Sequence, residues 1–140
     1  MITEDVFRTS INIDFDIGEE SFLNRYLPTP SHAESIIKIS KGFYEKNANT
    51  SHIMIGPYVS GKSLLATIRA NIVGKKVDRM SIKELINKFS DVHQDVYKNL
   101  KSLSDIKRTY IPIVLNGSYN TFGDTLVEKI QEQLFSHGIK

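Results

Sequence analysis

Eight consecutive residues, Gly56-Pro57-Tyr58-Val59-Ser60-Gly61-Lys62-Ser63, satisfy G-x-x-x-x-G-K-[ST], the phosphate-binding loop. Each specified position has a chemical reason. Backbone N–H groups wrapped around a β-phosphate need close approach, so Gly56 and Gly61 carry no side chain where the chain bends or touches the anion. A helix opening at Lys62 aims its positive dipole end and unpaired N–H groups at the same phosphate. Lys62 is placed to reach the β- and γ-phosphates as the catalytic cation, and the Ser63 hydroxyl to ligate Mg²⁺. The expected nucleotide-binding set is therefore Gly56, Pro57, Tyr58, Val59, Ser60, Gly61, Lys62, Ser63 and Leu64, with ATP and Mg²⁺ as cofactors.

Hydrolysis asks for more than binding. An acid at the end of an apolar strand normally completes the Mg²⁺ shell, and a further polar group orients the attacking water. The apolar run downstream of the loop, residues 110–115, ends in Asn116, which has no charge to give the metal. The rival acids are Asp14 and Asp16, upstream of the loop; with them the chain would be a small autonomous NTPase or kinase. His32, His52, His93 and His137 are widely spaced and form no metal-binding motif.

The elements that must position the loop read as follows. Ile11, Ile13, Phe15 and Ile17 alternate with Asn12, Asp14 and Asp16, the period of a half-buried strand over 10–17. Ser31 with Glu34 forms a capping box that opens a helix running through Ile36, Ile37, Ser40, Phe43 and Tyr44. Residues 51–55 are short and apolar and predict a buried strand leading into the loop; Leu64, Leu65, Ile68 and Ile72 predict a helix from the loop to Gly74. Ser81 with Glu84 predicts a second capped helix, and Val92, Val96 and Leu100 a third, ending near Leu103. Tyr110 to Leu115 predicts a parallel strand near a sheet edge, because Pro112 lacks a ladder donor. Leu126, Ile130, Leu134 and Phe135 mark a last amphipathic helix. The expected fold class is α/β: a partial three-layer P-loop NTPase core with a mostly parallel sheet flanked by helices. Residues 1–30 would be an N-terminal strand and linker, and 31–140 the partial nucleotide-binding domain.

The 140 residues are 40% hydrophobic and 24% charged, the balance of a globular domain. The absence of cysteine removes disulfides, thiolate metal sites and thiol nucleophiles. No apolar run approaches the ~18–20 residues of a membrane span, and residues 1–5 lack a secretory pattern, so no membrane partner and a cytoplasmic address are expected. The net charge of +2 is unevenly spread. Residues 62–108 carry eleven Lys or Arg against five acids, and Lys75, Lys76, Arg79 and Lys83 crowd the exit of the loop helix. That cluster gives a third possibility in a different class, a non-enzymatic domain that binds nucleic acid such as DNA, or an acidic protein.

The loop, with Leu27-Pro28-Thr29-Pro30 before it and Pro112-Ile113-Val114-Leu115-Asn116-Gly117-Ser118 after it, resembles the N-terminal nucleotide-binding part of large bacterial AAA-related P-loop ATPases. The resemblance is to the anti-phage defence ATPases of the BREX and phage-growth-limitation type, and it spans roughly residues 25–135. It implies that Gly56, Gly61, Lys62 and Ser63 hold Mg-ATP and that Pro28–Ser31 approaches the adenine. Val59 departs from it, since many such loops carry Gly there and a β-branched residue reaches positive φ only at a cost. In the resembling proteins the Mg²⁺-shell acid and the water-orienting acid lie on later strands, beyond the counterpart of residue 140. The chain is thus expected to bind ATP without efficient turnover by itself. It would self-associate through an open sheet edge or join partner subunits of a defence complex.

Overall fold

A computed structural model describes residues 16–27, 29–57, 61–115, 117 and 121–139. Their elements are α1 (Glu20–Arg25), α2 (Pro30–Lys41), α3 (Lys62–Gly74), α4 (Arg79–Asn87), α5 (Gln94–Ser104) and α6 (Phe122–Ser136). Among the described residues there is no strand and no sheet. The expected α/β parallel-sheet core is therefore corrected to a helical architecture.

The reason lies in what each apolar run finds beside it. A strand needs a neighbour for its N–H and C=O groups. Among the described residues, 51–57 form neither helix nor strand, with Ile53 and Ile55 88% and 92% exposed and Met54 packed against the core. Residues 110–115 lie against α3 instead of another strand: the Tyr110 N–H donates to the Val73 carbonyl at 3.1 Å. Pro112 seats on Gly74, where a β-carbon would come within 2.8 Å of its ring. The first expected strand falls mostly on 10–15, outside the described residues, and at its near end Asp16 is helical and buried rather than wet.

The helices follow from their sequences. α3 crosses the core, burying Leu65, Ile68, Ile72 and Val73 at the expected spacing. α2 packs on α5, α1 on α4, and α5 also meets α3 and α4. Leu23, Tyr26, Ile36, Leu85, Phe89, Val96, Leu100 and Leu103 complete one continuous core. Two helix starts differ from the expected capping boxes. α2 opens at Pro30, which suits the first helical position because its missing N–H has no partner there in any case, and Glu34 pairs with Lys38 at 2.6 Å. α4 opens at Arg79 with Asp78 as its cap, and Ser81 donates to Asp78 rather than capping on its own. α6 buries no residue.

Two long side chains fasten the assembly. The Lys88 ammonium donates to the carbonyls of Leu23, Asn24 and Tyr26 at 3.2, 2.6 and 3.2 Å, which satisfies the C-terminal end of α1. Arg69 is 6% exposed and donates to the Ile36 carbonyl and the Ser40 hydroxyl, both at 3.2 Å, joining α3 to α2. Burial lowers its pKa to about 10, so the guanidinium remains charged at neutral pH.

Candidate functional site

The loop arrives at α3 through Gly56 and Pro57, both exposed, and leaves through Gly61, the cap residue of α3 at φ 78° and ψ 13°. Only glycine enters that left-handed region without steric cost. A second constraint acts on the same residue. A β-carbon at Gly61 would lie 2.5 Å from His32 Nε2 and 2.7 Å from His32 Cε1. Backbone conformation and a neighbouring ring thus both demand glycine at this position.

Lys62 occupies the first turn of α3 and folds back over the loop. Its ammonium donates to the Gly56 carbonyl at 2.9 Å and to the Pro57 carbonyl at 2.7 Å. The two ends of the loop are therefore tied together by a cation. Among the described residues no side chain caps α3, and its first turn holds no acid. A lysine at the positive end of a helix dipole opposes the usual charge preference and concentrates positive potential at the loop. Ser63 is exposed one residue on, its carbonyl accepting from the Thr67 hydroxyl at 3.0 Å. Leu64 is half-buried and packs against the core, anchoring this end of the helix. Tyr58, Val59 and Ser60 lie outside the described residues.

His32 is the site neighbour that sequence reasoning missed. It sits in the first turn of α2, with Nδ1 3.1 Å from the Tyr26 hydroxyl and its ring stacked on Tyr26 at 6.1 Å and 12°. Tyr26 in turn meets Phe89 at 5.8 Å, so an aromatic series runs from the loop glycine into the core. Burial pushes the Tyr26 phenol up to about 12, which keeps it protonated across the working pH range. No spacing rule links His32 to Gly61, because the contact is between two distant parts of the chain. Tyr26 is only 3% exposed and belongs to the core, whereas Leu27 beside it is 78% exposed; Pro28, expected to approach the adenine, lies outside the described residues.

The other candidates lie elsewhere. Asp14 is outside the described residues. Asp16 is buried, and Gly18 two residues on donates to Asn71 Oδ1 at 2.7 Å. That attachment is eight residues, or roughly 12 Å, along α3 from Ser63. His93 caps α5 by accepting from the Val96 N–H, His52 bonds the Asn49 carbonyl, and His137 meets Lys76 at 2.7 Å. Among the described residues no three His, Asp or Glu side chains gather as a metal site, and no helix is long and apolar enough to cross a membrane. No family model, curated protein or solved structure matches the chain.

Proposed function

We infer that Gly56–Ser63 binds the phosphates of a nucleoside triphosphate, ATP with Mg²⁺ by the resemblance of the loop and its flanks. The observation that carries this is the Lys62 ammonium bridging the Gly56 and Pro57 carbonyls beside an uncapped helix N-terminus. An incoming phosphate offers that cation anionic oxygens in place of neutral carbonyls, and charge-assisted hydrogen bonds are about twice as strong. The first-turn amides of α3 would add donors, and the exposed Ser63 hydroxyl a metal ligand. ATP hydrolysis, a place in a larger bacterial defence ATPase and a cytoplasmic address extend the same proposal and rest on the resemblance alone.

Calorimetric titration of Mg-ATP into the wild-type chain and into Lys62→Ala tests the binding, with phosphate release assayed on the same samples. The wild type should bind, and the variant should bind at least about tenfold more weakly, the worth of one charge-assisted hydrogen bond. Equal affinity in the two proteins would dismiss the loop as a phosphate site. Phosphate release by the wild type alone would extend the reading from binding to turnover.

A further inference from the structure

The basic cluster at the exit of α3 is not used by the loop, and the fold gathers most of it in one place. Lys75, Arg79 and Lys83 join Lys101 and Lys107 around an open cleft of about 870 Å³ on the flank of α4 and α5. All five are exposed, and Asp105 is the one carboxylate among the described residues that line the cleft. The ion pairs among the described residues, Lys38–Glu34, Lys41–Glu45 and Lys129–Glu132, lie elsewhere, so no described carboxylate neutralises any of the five. Lys75 donates instead to the Lys107 carbonyl at 3.1 Å, which brings two of these residues side by side, and Arg79 and Lys83 are one turn apart on one face of α4.

Lys75 gives the cluster a second mark. It ends α3 at φ 49° and ψ 41°, the one non-glycine residue with positive φ among those described. Glycine is the usual residue at such a helix end, because a β-carbon is disfavoured there. A lysine in a position that suits glycine costs stability, and what it adds is an ammonium at the cleft. The lining also indicates what the cleft holds. Ile72, Val77, Ile82 and Ile86 form its floor but are each less than a tenth exposed and already belong to the core, so they leave charge, not apolar contact, to select a ligand. Five cations against one carboxylate leave four positive charges, and a phosphate group carries about −1.5 to −2 at neutral pH, so about two or three phosphates balance the site. Its volume falls within the roughly 300–1,000 Å³ of small-molecule sites. A nucleic-acid strand would ask for aromatic platforms as well, and Tyr97, the aromatic residue among the described lining, has the Lys101 ammonium 6.0 Å from its ring centre.

We propose that this cleft binds a small molecule carrying about two or three phosphate groups, with Lys75, Arg79, Lys83, Lys101 and Lys107 as its cations. Arg79 supplies a planar fork of donors to phosphate oxygens, and the lysines supply movable point charges. The Lys75 ammonium exchanges the neutral Lys107 carbonyl for an anionic oxygen, a stronger partner. The cleft lies at the opposite end of α3 from Lys62, and its ligand does not depend on nucleotide binding at the loop.

The test is calorimetric titration of inorganic tripolyphosphate into the full chain carrying Lys62→Ala, without Mg²⁺, so that the loop does not contribute. Saturable binding is expected, with orthophosphate at least about tenfold weaker. Lys83→Gln/Lys101→Gln in the same background should weaken tripolyphosphate binding at least about tenfold. Lys46→Gln/Lys98→Gln, which removes the same charge away from the cleft, should stay within about twofold. Lys75→Gly should lower affinity at least about threefold while its Tm stays level or rises, since the β-carbon in the left-handed region is gone. Circular dichroism and melting of each variant report that the fold is kept. No saturation by about 1 mM tripolyphosphate, equal affinity for orthophosphate, or no greater weakening in the cleft variants than in Lys46→Gln/Lys98→Gln overturns the proposal. So does tighter binding of an oligo-dT strand that is lost in Lys83→Gln/Lys101→Gln, which would assign the cleft to nucleic acid.

Discussion

At Gly61 one atom decides the geometry of the loop. Its φ of 78° costs an L-residue about 1–2 kcal/mol, and a methyl group there would also drive into the His32 imidazole. Gly61→Ala should therefore lower stability by more than the backbone term alone and weaken Mg-ATP binding. Adding His32→Ala removes the ring and should return the steric part only, leaving about 1–2 kcal/mol of backbone strain. Urea unfolding of the two single variants and the double variant measures this. Strict additivity would mean that the ring and the glycine do not interact. Under the proposed phosphate binding, Lys62, beside Gly61, would act through charge rather than shape: its ammonium donates to the Gly56 and Pro57 carbonyls, partners that an anion would replace.

Helix α4 shows how a local start signal sets both structure and pH response. Asp78 accepts from the Ser81 hydroxyl at 2.6 Å and from the Met80 and Ser81 N–H groups, and these bonds push its carboxyl down from 3.8 to about 2. A folded pKa below the unfolded value means that the stabilisation is full above about pH 4 and is lost as pH falls through about 2. Asp78→Ala should lower Tm by about 3 °C at pH 6, and the gap from wild type should narrow steadily below pH 4. A gap independent of pH would remove the charged cap as its cause. The same helix shows what was legible in the sequence. Apolar spacing located α2 to α6; in α2 to α5 the stripe faces the core, whereas α6 has the stripe but buries no residue. The starts of α2 and α4 moved because Pro30 and Asp78 outbid the Ser-x-x-Glu pairs downstream. The expected strands failed for a different reason. Apolar runs at 51–55 and 110–115 announce a need for cover, but not what supplies it, and here α3 supplies it to the second run while the first keeps two isoleucines exposed. The Gly56–Ser63 motif stands out in the sequence because its residues are contiguous; the contact of His32 with Gly61 does not, because only folding brings the two together.

Across the whole molecule, the loop and the core share α3. Gly61 caps the helix that Ile68 and Ile72 bury, and His32 and Tyr26 continue the contact to Phe89. A ligand that orders the loop must then stabilise the helical assembly as a unit, since binding to the folded state alone adds RT ln(1 + [L]/Kd). At a hundredfold excess over Kd this is about 2.7 kcal/mol, which for a chain of this size shifts Tm upward by roughly 8 °C. Thermal melting followed by circular dichroism at 222 nm, which reports on helix throughout the chain, should show one transition moving with Mg-ATP in the wild type and moving about half as far or less in Lys62→Ala at the same ligand concentration. If Mg-ATP binds by calorimetry but leaves the melt in place, the loop opens independently of the core. The aromatic series from Gly61 to Phe89 would then be a packing contact that carries no coupling.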